Sequence, residues 1–155
     1  MSKEIERRFL VTDPSLVPDG QDHVVKQGYM YSGSNGTVRF RVWDDQGIMT
    51  IKGKPEPGHF GRSEFEYEIP VADAEEMIAT LCGERVIYKT RRVIHMDNLT
   101  WEVDFFHDFH EGLIIAEVEL DSEEQEITLP NFVGREITRE KGYSNAALSL
   151  KKVCN

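Results

Sequence analysis

Near the start of the chain, Glu4, Glu6 and Arg8 are spaced by two and run into Phe9-Leu10-Val11. On an extended strand, residues i, i+2 and i+4 share one face. The spacing therefore predicts two carboxylates and one permanent cation in a row on one side of a strand. Neighbouring carboxylates repel unless something positive lies between them. Hard divalent cations favour carboxylate oxygens and are the natural counter-charge.

The same spacing returns along the chain. Arg39 and Arg41 are two apart within Thr37-Val38-Arg39-Phe40-Arg41-Val42-Trp43, and Lys52 closes Ile48-Met49-Thr50-Ile51. Glu64, Glu66 and Glu68 alternate with Phe65, Tyr67 and Ile69; Lys89 and Arg91 follow Val86-Ile87. Glu102 and Asp104 alternate with Trp101, Val103 and Phe105, and Glu117 and Glu119 with Ala116, Val118 and Leu120. Any one such run describes an antiparallel strand with a solvated polar face. Together they describe something else, because acids cluster with acids on some strands and bases with bases on others. Like charges on neighbouring positions are unfavourable unless opposite charges face them. The pattern predicts a sheet curled into a barrel whose charged faces point inward and enclose an anion site and a cation site. The apolar faces then pack outward, against helices or a partner.

The elements that must position these rows follow from the punctuation. Strands are expected at 3–11, 23–32, 37–43, 47–52, 61–69, 84–96, 99–107 and 112–121, with a short extended piece at 126–129. Ser32-Gly33-Ser34-Asn35-Gly36 reads as a hairpin connection, and Asp97-Asn98 as a tight turn. Asp13-Pro14 starts a turn or short helix, and the Gly/Pro-rich 53–58 segment reads as a loop. A helix is predicted over 72–81, with Met77, Ile78 and Leu81 on one face and Asp73 as its cap; another starts near Tyr143, capped by Ser144 or Asn145. The fold class is thus mainly β (α+β): an antiparallel barrel of about eight strands with peripheral helices, formed by one domain over 1–155.

The net charge of −10 argues against a nucleic-acid footprint. It leaves room for a small anion, since local basic rows dominate the field inside a cleft. No apolar run approaches membrane-spanning length, and charge from Lys3 onward argues against a secretory leader. Cys82 and Cys154 have no metal or disulfide spacing and read as free thiols in a reducing compartment, so a cytoplasmic location is expected.

Glu4-x-Glu6-x-Arg8 resembles the Glu-x-Glu-x-Lys signature of the CYTH superfamily, the triphosphate tunnel metalloenzymes. The later rows follow that family's order: Arg39-x-Arg41, Lys52, Glu64-x-Glu66, Lys89-x-Arg91, Asp104 and Glu117-x-Glu119. The ending Arg135-Glu136-Ile137-Thr138, then Tyr143-Ser144-Asn145-Ala146-Ala147-Leu148, looks like the short bacterial members. The resemblance implies an eight-stranded antiparallel tunnel that binds a triphosphate with Mg²⁺ or Mn²⁺. It implies phosphate contacts from Arg8, Arg39, Arg41, Lys52, Lys89 and Arg91. It implies metal ligation by Glu4, Glu6, Glu117 and Glu119 with Glu64, Glu66 or Asp104. Short members are most similar to tripolyphosphatases; the alternatives are a class IV-type adenylyl cyclase, a nucleoside or thiamine triphosphatase, and a non-catalytic polyphosphate or nucleotide binder. A homodimer is left open, and neither nucleic acid nor membrane is expected as a partner.

One residue departs from the signature. Arg8 stands where the family has lysine; its guanidinium holds phosphate well but does not deprotonate, so it cannot act as a base. Lys89, flanked by cations that should depress its pKa, is the residue expected to orient or activate the attacking water, with Arg8 as the second catalytic side chain. Glu68 and Glu102 read equally well as structural partners of Arg or Lys. His59, His107 and His110 lack a ligand pattern. Trp43 and Trp101 are expected in the apolar packing, and Arg7 and Arg92 on the outside by parity.

Overall fold

The computed structural model describes residues 2–151. Among these residues nine strands form one antiparallel sheet: β1 (Ser2–Glu4), β2 (Glu6–Leu10), β3 (Gln21–Gly33), β4 (Gly36–Trp43), β5 (Gln46–Lys52), β6 (Arg62–Ile69), β7 (Val86–Met96), β8 (Leu99–Phe106) and β9 (Ile114–Glu119). Two α-helices accompany them, α1 (Val71–Leu81) and α2 (Asn145–Lys151). The strand order is β1-β6-β5-β4-β3-β7-β8-β9-β2.

That order explains the closure. β1 and β2 lie at opposite edges of the sheet, yet only Ile5 separates them in the chain. The N-terminal segment pairs first with β6, Glu4 opposite Arg62, and then with β9, Glu6 opposite Glu119. Ile5 is where the hydrogen bonding changes sides: its carbonyl accepts from the Leu120 amide at 2.8 Å, beyond the end of β9. The single strand expected over 3–11 is therefore two short ones. Counted as one interrupted strand, they give the eight staves of a barrel whose two sheet edges the N-terminal segment joins, covering β6 on that side over Arg62–Glu64.

Strand alternation then sorts side chains. The outer faces of β3 and β4 pack under α1, with Phe40 and Val42 against Ala74, Ile78 and Cys82. The helix lies so close that a Cβ on Gly28 would meet Cys82 Sγ at 2.8 Å, which excludes any larger residue there. The outer faces of β2, β8 and β9 contribute Phe9, Trp101, Val103, Ala116 and Val118 to a second cluster, covered by Leu120 and Phe132 from the following segment. Phe132 meets Trp101 edge-on, with ring centroids 5.6 Å apart. A third cluster lies inside one end of the barrel. Ile87, Phe106 and Ile115 share the inward parity of Lys89 and Asp104, and Ile137 and Leu148 fold back onto them. α2 thereby partly fills that end.

Local details differ from expectation at three places. α1 begins after Pro70, so Asp73 sits in its first turn and does not cap it. The 126–129 segment is irregular and joins no sheet. Short 3₁₀ turns at Asp108–His110 and Lys141–Tyr143 had no strong sequence signal. Elsewhere the turn chemistry holds: Asp97 and Asn98 take φ of 52° and 58°, as a two-residue hairpin turn requires. Ser144 Oγ accepts from the Ala147 amide at 3.0 Å, capping α2.

Candidate active site in the barrel interior

Because β2 carries Glu6 and Arg8 on its inward face opposite Glu119 and Glu117, the N-terminal row meets the C-terminal acidic row directly. The register elsewhere brings Arg39 of β4 opposite Thr50 of β5, and Thr50 opposite Glu66 of β6. Lys52 stands opposite Glu64, and Arg91 of β7 opposite Asp104 of β8. The result is a cavity of about 1270 Å³ through the barrel. Glu4, Glu6, Arg8, Arg39, Arg41, Lys52, Glu64, Glu66, Arg91, Glu117 and Glu119 all line it.

Opposite charges interleave on the wall. Lys52 Nζ donates to Glu4 Oε1 at 2.7 Å and lies 3.7 Å from Glu64. Arg8 Nε is 3.6 Å from Glu117 Oε1, and Arg91 Nη2 donates to the same oxygen at 3.3 Å. Arg39 Nη2 donates to Thr50 Oγ1 at 3.2 Å, and the Thr50 hydroxyl donates to Glu66 at 3.3 Å. Arg41 Nε donates to Gln27 Oε1 at 3.1 Å, and Gln27 in turn donates to the Tyr29 hydroxyl.

The carboxyls separate into two kinds. Burial pushes Glu117 up, but Arg91, Arg8 and Lys89 outweigh it and hold that carboxyl well below the ordinary range. Glu4 is likewise lowered, Lys52 outweighing burial. Glu6 goes the other way: burial, then the nearby Glu117 and Glu4, push it well up. Glu64 is pushed up to about 7 by burial and Glu4, and Glu119 is raised by burial and the same neighbour. The cavity thus holds crowded negative charge that the protein's own cations do not fully offset. These are hard oxygen donors, and the excess charge is of the kind a divalent cation relieves. Among the described residues, no three acidic, histidine or cysteine side chains already converge as a ready metal centre. Lys52 and Arg62 stand beside Glu4, and Arg8 and Arg91 beside Glu117.

Lys89 and Asp104 do not line the cavity; they lie behind its wall, fully out of water. Arg91 grips Asp104 through Nε at 2.6 Å and Nη2 at 2.8 Å, while Lys89 Nζ donates to Asp104 at 2.7 Å and to Asn145 of α2 at 3.1 Å. Burial, then Arg91, push the Lys89 ammonium down to about 7. Asp104 is lowered because Arg91 and Lys89 outweigh its burial.

Sequence parity missed some lining residues. Tyr29 lines the cavity, with Gln27 beside it on β3, and Trp43 stands two beyond Arg41. Trp43 was expected in the apolar packing; it lines the cavity instead, because it shares the parity of Arg39 and Arg41. Thr50, two before Lys52, had the same unused signal. Arg139 and Asn145 reach the cavity only through the C-terminal fold-back, which no local pattern announces. Glu102 lines the cavity 3.4 Å from Arg91, as both readings of it allowed. His59 pairs with Glu123 at the mouth, His107 bonds Thr90, and His110 bonds the Leu148 carbonyl. Trp101 is in the outer core as expected, and Arg7 and Arg92 are on the outside, paired with Glu136 and Asp22.

An antiparallel barrel closed by its own N-terminal segment, with matched acidic and basic rows inside, defines a charged-tunnel class of protein. Residues 2–149 match the CYTH domain model, and the chain belongs to that family. It is 39% identical over 148 residues to an inorganic triphosphatase of Acetivibrio thermocellus, covering 96% of this chain and 94% of that protein. It is 35% identical over 153 residues to an inorganic triphosphatase of Nitrosomonas europaea, covering 95% and 97%. A crystal structure of an inorganic triphosphatase superposes with a TM-score of 0.68 at 31% identity, covering 97% and 96% of the two chains. A putative adenylyl cyclase from Hippeastrum shares the fold alone, with a TM-score of 0.58 at 16% identity over 77% and 80%.

Proposed function

We propose that this chain, as a single domain, hydrolyses inorganic tripolyphosphate in a divalent-metal-dependent reaction inside the barrel. One observation carries the reading. Among the described residues, the buried side-chain nitrogens without a hydrogen-bond partner are Arg8 Nη2 and Arg39 Nε, and both side chains line the cavity. A buried donor left unsatisfied costs about 1–3 kcal/mol, more when charged. Two such guanidiniums, with Arg41 and Lys52 nearby, call for a ligand that is all acceptor oxygens. A condensed phosphate chain is that ligand, and the names of the relatives point the same way.

In this reading Arg8, Arg39, Arg41 and Lys52 bind the phosphate oxygens, and Arg91 adds charge at the wall. Glu4, Glu6, Glu64, Glu66, Glu117 and Glu119 line the cavity and would hold Mg²⁺ or Mn²⁺; Asp104, behind the wall, would not. When bound, such an ion stabilises charge on phosphoryl oxygens and lowers the pKa of a bound water. Phosphoryl transfer needs positioning and charge stabilisation more than covalent help. The protein accordingly holds the chain straight and screens its charge, while water adds to the terminal phosphorus and diphosphate leaves. Arg8 serves as a clamp. Asp104 aligns Arg91 and Lys89. Lys89, dry behind the wall, reaches neither water nor the phosphate chain; it acts by holding Asp104, and through it Arg91, in place, so the water-orienting and phosphate-binding roles the sequence suggested for it do not fit its position.

No cavity residue is evidently devoted to a base or ribose, so tripolyphosphate ranks above ATP and the cyclase reading below both. So many acids have little use in a pure anion binder, which ranks that reading lower still. The described residues contain no helix long and apolar enough to cross a membrane. Among the described residues Cys82 is a free thiol, Cys154 lies outside them, and the cytoplasmic location is inferred from the sequence.

The test is phosphate release from tripolyphosphate, ATP and thiamine triphosphate, each with Mg²⁺, Mn²⁺ or a chelator. The expected result is metal-dependent release, fastest from tripolyphosphate. Undiminished turnover in chelator, a kcat/KM favouring ATP, or cyclic AMP as the main product would overturn it.

A further inference from the structure

At the end of the barrel away from α2, Trp43 stands on the inner wall in company that packing does not explain. It belongs to none of the three apolar clusters. Its ring centroid lies 5.9 Å from Cζ of Arg41 and 5.9 Å from Cζ of Arg91. The His23 ring lies 4.6 Å away, tilted by 37°. His23 is itself fixed, its Nδ1 2.5 Å from Asp44 Oδ2, while Asp44 Oδ1 accepts the Val24 amide at 2.9 Å. Asp44 has a left-handed φ of 51°, which lets the residue after Trp43 turn its carboxylate back over β3.

Arg41 and Arg91 are buried like charges on different strands, β4 and β7, and β3 separates them. Burial most of all, then Arg39 and Arg91, push the Arg41 guanidinium down to about 9. Arg91 is held by Asp104, Glu102 and Glu117, but Arg41 has only the neutral Gln27 on Nε. An aromatic face attracts guanidinium ions, most strongly where water is excluded. One indole placed within reach of both offsets their repulsion and fixes the plane of the less tethered one.

We propose that Trp43 is a positioning residue for the tunnel reaction: its ring, braced by His23 and Asp44, holds the Arg41 and Arg91 guanidiniums against the phosphate chain. This rests on the tripolyphosphate reading above. Because its neighbours on the ring are His23 and two arginines, Trp43 acts on phosphate through Arg41 and is no stacking platform for a nucleobase.

The experiment uses the full chain with Trp43→Phe, Trp43→Leu and His23→Ala, measuring kcat and KM for tripolyphosphate and for ATP, with thermal melts alongside. Tryptophan emission is also followed as tripolyphosphate is added in chelator. Trp43→Leu should raise KM for tripolyphosphate about tenfold with kcat changed less than about threefold. Trp43→Phe should recover most of that loss, and His23→Ala should fall between. Wild-type emission should respond saturably to tripolyphosphate, and the response should vanish in Trp43→Phe, where Trp101 remains. Wild-type KM in a stably folded Trp43→Leu, a Phe variant no better than Leu, an emission response that survives in Trp43→Phe, or a KM defect for ATP alone would each overturn the role of Trp43. Saturable binding of tripolyphosphate without turnover would overturn the hydrolytic reading only, and the emission arm would still decide Trp43. Absence of both binding and turnover in wild type would overturn the two together.

Discussion

Arg91 and Asp104 face each other across β7 and β8 as a two-pronged ion pair, with Nε–Oδ1 at 2.6 Å and Nη2–Oδ2 at 2.8 Å, and Asp104 has no exposure to solvent. Lys89 adds a third charge-assisted contact to the same carboxylate. Lys89 is likewise fully buried while Arg91 borders the cavity, so the triad ties the cavity wall to α2 through the Lys89–Asn145 contact.

Breaking it should be costly. Asp104→Asn keeps the shape but leaves Arg91 and Lys89 buried without their shared counter-charge. Removing one partner of a buried pair typically costs about 3–5 kcal/mol. Urea denaturation should show a loss of that order; a loss under about 1 kcal/mol would mean that Glu117 and Glu102 suffice for Arg91.

Glu6→Gln should behave in the opposite way. Its carboxyl is already pushed up by burial and by Glu117 and Glu4, so the neutral isostere removes repulsion. The melting temperature should stay or rise by a few degrees. Turnover should fall by about a hundredfold or more, because a metal donor is gone. A destabilised but active Glu6→Gln enzyme would make the residue structural.

At position 8, charge should matter more than the fork. Arg8→Lys should keep substantial activity, while Arg8→Ala should lose about 2–4 kcal/mol of transition-state stabilisation. Steady-state kcat/KM on tripolyphosphate decides it. An alanine variant with wild-type kinetics would remove Arg8 from the site.

Stability should depend on pH through Glu64. Its folded pKa is about 7, above the ordinary 4.5, so between those values the folded protein binds more protons than the unfolded chain. Metal-free stability should therefore fall as pH rises from about 4.5 to 7 on account of this group. Glu64→Gln should flatten that fall, and excess Mg²⁺ should do the same in wild type. Thermal melts across the range, with and without metal, check the sign; a slope unchanged by both would show that Glu64 is not crowded.

Much of this site was legible because strand parity is a strict rule. Once Glu4, Glu6 and Arg8 define an inward face, the rows two apart join it, although Glu68 at the end of its row is exposed and does not line the cavity. Trp43 obeyed the same parity, and expecting it in the apolar packing let residue type override position. What parity cannot give is depth. Lys89 and Arg91 share a face, yet Arg91 borders the cavity and Lys89 does not, because the C-terminal segment folds back to place Asn145, Ile137 and Leu148 at that end. That fold-back joins residues far apart in sequence and leaves no local periodicity. The break at Ile5 was equally silent, since both halves keep one alternation while their partners change.

The closure at Ile5 also sets an order of events. β1 and β2 precede the other described strands in the chain, but β2 must wait for β9, whose pairing joins Glu6 to Glu119. Contacts of such long sequence separation form slowly, because the chain between them must first be ordered. Glu4, Glu6 and Arg8 therefore meet Glu117 only when the last stave seats. A half-made chain can carry a finished β3–β4 hairpin and α1, yet it has no tunnel. Catalytic competence and completion of the fold become one event.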